Sequence, residues 1–135
     1  MRYVDSGVVI AAFASWHEAH EVARNEVARR PGIAAHAMVE VYSVLTRLPA
    51  PHRAHPSIVA RYLDAVFPEA PLMLAAPAYR DAIVRELPNS GISGGPSYDA
   101  LIAATVREAS GTLVTLDRRA MSTYRLLGCD AELLA

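Results

Sequence analysis

Short apolar runs alternate along the chain with longer stretches in which apolar residues recur every three or four positions. RYVD at 2–5 predicts a strand, followed by helices at about 8–14 and 17–30. The second of these, HEAHEVARNEVARR, turns Val22 and Val27 inward and its charges outward. PGIAAH breaks the chain and supplies a short strand near 32–35. AMVEVYSVLTRL carries Val41, Val44, Leu45 and Leu48 on one helical stripe. LPAPHRAHP is a proline-rich loop, and Pro56 suits the first turn of a helix running to about Phe67. PLML predicts a strand, Pro77 opens a helix to about Leu87, and PNSGISGGPS is the longest flexible connection. SYDALIAATVREASG predicts a helix with Ser97 as N-cap and Gly111 as its C-terminal stop. TLVTLD is a strand, RRAMSTYRLLG a short helix and CDAELL a last strand.

Strands alternating with helices of this length predict an α/β fold, a mainly parallel sheet of four to five short strands covered on both faces. In such sheets the ligand crevice lies beyond the carboxyl ends of the strands. The 135 residues suit a single domain, 1–135, without repeats or low-complexity tracts.

Composition narrows the function classes. At 53% hydrophobic the chain can fill a core, yet no apolar run approaches the ~20 residues of a membrane span. No signal-peptide pattern opens it, and the single cysteine, Cys129, excludes an internal disulfide and a multi-cysteine zinc cluster. A reducing cytoplasm is the expected setting, with Cys129 a small buried residue. The formal charge of -1 gives no global pull toward nucleic acid or membranes. All 13 basic residues are arginine, which removes the phosphate-binding loop with its lysine, Schiff-base chemistry and the lysine of receiver-type domains.

Most of the 14 acidic residues have ordinary settings. Glu18, Glu21 and Glu26 read as a solvated face with Arg24, Arg29 and Arg30, and Asp64, Asp81, Glu86 and Glu108 sit near arginines on helix faces. Glu69, Asp130 and Glu132 fall in or beside loops and the last strand. Four others stand apart. Asp5 and Asp117 each end an apolar strand on the crevice side. Asp99 lies in the first turn of an apolar helix, where it either complements the helix dipole or points into the same crevice. Glu40 borders the apolar stripe of its helix, either paired to an arginine or aimed at the other three.

Carboxylates gathered in one pocket repel one another unless a cation neutralises them. Oxygen ligands without histidine or cysteine select Mg²⁺ or Mn²⁺, and the expected chemistry is metal-assisted attack of water on a phosphodiester. Ser6 and Thr115, beside two of the acids, are placed to orient a carboxylate or a water through their hydroxyls, or to serve as ordinary strand-end hydroxyls. HEAH pairs two histidines on a helix far from the strand ends, and none of the five histidines is assigned to a metal. Phe13 and Trp16 read as core or dimer packing.

The segments VDSGVVIAAF, MVEVYSVLTRL and SYDALIAATVREASGTLVTLDRRA together resemble the PIN domain, specifically the VapC toxins of bacterial toxin–antitoxin pairs. The resemblance spans essentially the whole chain and is strongest over YDALIAATVREASGTLVTLD. It implies a three-layer α/β/α PIN-like fold and a metal-dependent endoribonuclease. Its acidic quartet falls on Asp5, Glu40, Asp99 and Asp117, which would be both catalytic and metal-binding residues; its small hydroxyl residues fall on Ser6 and Thr115. It also implies a homodimer and a small cognate antitoxin that holds the enzyme inactive. RRAMSTYRLLG departs from the family at a position after the last acid where a Phe is common, and Arg118 and Arg119 there face RNA phosphates, antitoxin or solvent. The expected substrate is RNA with an unpaired loop, since sequence-specific readers favour unstacked bases.

Two other classes compete. A non-catalytic PIN-fold module that only sequesters its antitoxin has no physical reason to keep four clustered carboxylates. A receiver-like phosphoryl-transfer domain lacks its lysine, and a dehalogenase-type phosphatase has Gly7 where its second aspartate belongs.

Overall fold

In a computed structural model that describes residues 1–134, four strands form one parallel sheet in the order β2-β1-β3-β4. They are β1 (Arg2–Val4), β2 (Gly32–Ile33), β3 (Thr112–Thr115) and β4 (Asp130–Leu133). The central pair is buried, with Val4, Leu113 and Val114 fully enclosed, as strands covered on both faces require. PLML contributes less than a strand. Leu72 alone bridges to Ala34 at the β2 edge, because Pro71 offers no N–H and Met73 is exposed.

Helices cover both faces in a three-layer α/β/α arrangement: α1 (Ser6–Phe13), α2 (His20–Val27), α3 (Ala35–Arg47), α4 (Pro56–Val66), α5 (Ala76–Asp81), α6 (Leu87–Asn89), α7 (Pro96–Glu108) and α8 (Arg118–Leu126). A π-turn over Ala82–Glu86 joins α5 to α6. The α3 stripe packs as its period requires, with Ala37, Val41 and Leu45 buried. No described helix is long and apolar enough to cross a membrane.

Three local expectations are corrected. Helix α2 starts at His20 instead of His17, because the His17 ring accepts the Ala19 N–H and holds a turn there. Ser97 is not the cap of α7: the helix begins at Pro96 behind Gly95, with no side-chain cap. Proline at N1 has its φ preset and its missing N–H costs nothing there. The chain leaves α7 through Ser110, in the left-handed region at φ 55, so Gly111 is not the stop. Gly111 has another task. It faces Gly32 across the Tyr3 ring, and a Cβ on either glycine would run into that ring.

Glu26 is also not solvated. It lies under α2 at 3% exposure, held by Arg2 of β1 at 2.8 Å and more loosely by Arg29. Arg2 reaches Glu132 of β4 as well, at 2.7 Å, so one guanidinium ties a helix to two strands. Cys129 is buried as expected, and burial pushes its thiol up to about 11.

Candidate active site

Two of the four acids are built by the same local device. Strand β1 stops at Val4 and Asp5, in extended backbone, caps α1 by accepting the Val8 N–H through Oδ1 at 3.2 Å. Strand β3 stops at Thr115 and Asp117 caps α8 by accepting the Arg119 N–H at 2.8 Å. An aspartate at an N-cap satisfies an orphan donor and favours the helix dipole. Because Val4 and Val114 are in register on adjacent parallel strands, both caps sit at the same edge of the sheet. The bend at Asp5 is thus made by the cap itself, while Gly7 lies inside α1 with room for a Cβ 3.6 Å from the Asp5 carboxylate.

The two caps differ in surroundings. Asp117 is exposed, whereas Asp5 is 5% exposed, with the Tyr124 hydroxyl donating to its Oδ2 at 2.9 Å. The Thr115 hydroxyl also bonds Asp5, and its oxygen accepts the Asp117 N–H at 3.0 Å, linking the two acids. Burial nevertheless raises the Asp5 carboxyl, and the charge of Asp117 adds to the rise.

Asp99, in the first turn of α7, and Glu40, in the middle of α3, complete the group. Both are half-buried. Burial raises Asp99, with further rises from Asp5 and Asp117. Burial likewise raises Glu40, helped by Asp99 and Asp5. The four carboxylates therefore act on one another, and among the described residues none of them forms an ion pair. Glu40 Oε1 is buried with no hydrogen-bond partner at all. The arginine partner that Glu40 could have had is absent from the described contacts.

An unpartnered buried carboxylate oxygen inside a wholly oxygen-donor cluster fits a hard divalent cation. As positioned, no group of three or more described His, Cys, Asp or Glu side chains is arranged to hold one.

The remaining candidates divide. Ser6 opens α1 half-buried, with no side-chain hydrogen bond among the described residues. Arg118 and Arg119 begin α8, exposed and without ion pairs, at the end of a helix where the dipole disfavours cations. The histidines have structural duties: His20 bonds the Ala11 carbonyl and His55 caps α4 by accepting the Ser57 N–H. Phe13 packs edge-on against Tyr62, and Trp16 lies half-exposed over His52.

Tyr124 was missed by the sequence reading. It is the largest fully buried side chain, and its phenol is raised by burial and by Asp5, Asp99 and Glu40. The signal was available: Ala120 and Tyr124 of α8 and Leu127 just past its end fall at helical spacing, and a tyrosine on a buried stripe needs a partner for its hydroxyl.

A family model described as the PIN domain matches residues 2–126. The chain belongs to the PIN domain family. It is 43% identical over 130 residues to Ribonuclease VapC40 of Mycobacterium tuberculosis, covering 96% of each protein. To Ribonuclease VapC27 of the same organism it is 39% identical over 133 residues, covering 98% of this chain and 96% of the relative. Among solved structures, FitAB bound to a DNA fragment matches with a TM-score of 0.71 at 14% identity, over 98% of this chain and 94% of that one. PAE2754 from Pyrobaculum aerophilum matches at 0.61 with 19% identity, over 96% and 89%. These two likenesses establish the PIN fold alone; the ribonuclease relatives bring the chain among the VapC proteins.

Proposed function

We propose that this PIN-domain chain is an Mg²⁺- or Mn²⁺-dependent endoribonuclease, the toxin of a toxin–antitoxin pair acting in the cytoplasm. The observation that carries this reading is the uncompensated acidic group, with Glu40 Oε1 buried and unpartnered and the Glu40 carboxyl raised by burial, Asp99 and Asp5. Asp5, Glu40, Asp99 and Asp117 hold the cation. When bound, it neutralises the phosphodiester charge and favours attack by water.

The chain's own groups prepare that site. Tyr124, Thr115 and the Val8 N–H fix Asp5 from both carboxylate oxygens, so its orientation is set before substrate arrives. The same Thr115 hydroxyl positions the start of the loop that carries Asp117. Arg118 and Arg119 are free to bind RNA phosphates, a role consistent with cations placed against a helix dipole. Ser6 holds a hydroxyl beside Asp5 that can orient water. The family resemblance adds a homodimer and a cognate antitoxin, and the preference of sequence-specific readers for unstacked bases adds an RNA cut in an unpaired loop.

The purified chain should cut RNA with Mg²⁺ or Mn²⁺, leaving a 5′-phosphate and a 3′-hydroxyl, and lose cleavage as Asp99→Asn while remaining folded. Cleavage that persists in EDTA would overturn the reading.

A further inference from the structure

Beside the acidic group lies a cleft of about 420 Å³ that the metal site does not account for. One face of α3 forms its length: His36, Glu40, Ser43 and Arg47 recur at helical spacing, and Tyr98 of α7 closes it. Glu40 itself lines the cleft, and Tyr98 directly precedes Asp99 on α7, so the cleft adjoins the acidic group at Glu40. The Tyr98 and His36 rings stack nearly parallel, at 8° with centroids 5.2 Å apart. Tyr98 is 56% exposed, a large aromatic surface left open beside charged groups. Arg47 is exposed two turns beyond Glu40, about 10 Å along the helix axis, and no described carboxylate pairs with it.

The neighbouring hollow makes a useful contrast. It shares His36 and Val39 but is otherwise lined by groups such as Leu72, Met73, Leu74 and Tyr79, with no charged side chain. That apolar lining suits a protein surface. The cleft at Tyr98 also carries Val39 and Val44, but adds a stacked aromatic pair, an unpaired guanidinium and the Ser43 hydroxyl, groups that can meet a base, a phosphate and a ribose.

We propose that this cleft is a nucleotide subsite: the base next to the scissile phosphate stacks on the Tyr98–His36 pair and an adjoining phosphate binds Arg47. Rigid stacking there would draw the strand past Glu40 and Asp99 and so choose which bond is cut. The inference rests on the ribonuclease reading and deepens it to one residue pair.

The test uses the intact chain and a short single-stranded RNA carrying a fluorescent aminopurine at successive positions, then an abasic site at the same positions. The aminopurine next to the cut bond should be quenched on binding, and Tyr98→Ala should abolish that quenching while Tyr98→Phe retains it. Tyr98→Ala should weaken RNA binding about 5- to 150-fold, the range for one lost base–aromatic stack, and raise KM more than it lowers kcat. An abasic site next to the cut should cost the wild-type chain a similar factor and cost the Tyr98→Ala variant nothing further. Arg47→Ala should weaken binding with a shallower salt dependence.

Full quenching in Tyr98→Ala, or additive losses from the variant and the abasic site, would overturn the subsite while leaving the ribonuclease reading intact. A variant that changes only the molar mass in solution would make this face a contact between copies of the chain, which also overturns it. A chain that neither binds nor cuts RNA removes both proposals together.

Discussion

Glu26 and Glu40 are both glutamates on helices that cover the sheet, and both are drawn out of solvent. Their surroundings are opposite. Glu26 is met by Arg2 at 2.8 Å and by Arg29 at 3.4 Å, so the chain supplies its own counter-charge and gains a tie between α2 and β1. Glu40 is met by Asp99 and Asp5, and one of its oxygens is buried with nothing to accept from. Burying a carboxylate is costly without a partner, so the fold tolerates at Glu40 what it avoids at Glu26. The difference separates an acid with a partner in the chain from one that the proposed cation would partner.

The widest separation is expected in activity. Asp5→Asn and Asp99→Asn should each lower RNA cleavage by more than the 10- to 100-fold typical of outer positions around a metal, read as initial rates on a defined RNA. Glu26→Gln should leave the rate per folded molecule unchanged. In stability the order reverses. Arg2→Ala should cost about 3 kcal/mol in chemical denaturation, the low end for breaking a buried pair, because Arg2 keeps 24% of its side chain in solvent. Glu40→Gln should be neutral or stabilising without metal, since it removes repulsion and no partner. A loss of similar size at both sites would erase the distinction.

pH sharpens the same contrast. Burial and mutual repulsion raise Asp5, Asp99 and Glu40, so the folded state holds protons more tightly than the unfolded chain. Their penalty is complete above the raised values and is relieved as pH falls through them toward the ordinary carboxylate range near 4. Glu86 and Glu132 run the other way. Arg107 lowers the first and Arg2 the second, and the stability they add above the ordinary range is lost as pH falls below it. Metal-free protein should therefore gain stability on mild acidification and lose it on stronger acidification. Asp99→Asn should flatten the rising limb in denaturation curves taken across pH. Tyr124→Phe removes one hydroxyl donor to Asp5 at 2.9 Å. It should cost about 1.5–3 kcal/mol, the range for a bond to a charged group, and lower cleavage less than Asp5→Asn does.

The strand–acid–helix junctions at Asp5 and Asp117 were legible because each is a local pattern, an apolar run closed by an aspartate before a helix. The alternation of periods likewise reached the parallel sheet and its helices. What local pattern does not carry is pairing across the chain. Glu26 looked solvated beside Arg24, Arg29 and Arg30, yet its main partner is Arg2, 24 positions away. Tyr124 serves Asp5 across 119 positions, a bond that no window of sequence displays. PLML shrank to a single bridge and Gly111 turned out to accommodate Tyr3, because the packing of neighbours overrode propensity in both places.

We propose that a divalent cation supplies the partner that the acids around Glu40 lack within the chain. Calorimetric titration of the metal-free chain with Mn²⁺ tests it directly, with Asp99→Asn and Glu26→Gln measured alongside. Saturable binding to the chain and to Glu26→Gln, lost in Asp99→Asn, is the expected result. No binding to the unaltered chain, or equal binding to Asp99→Asn, would contradict it.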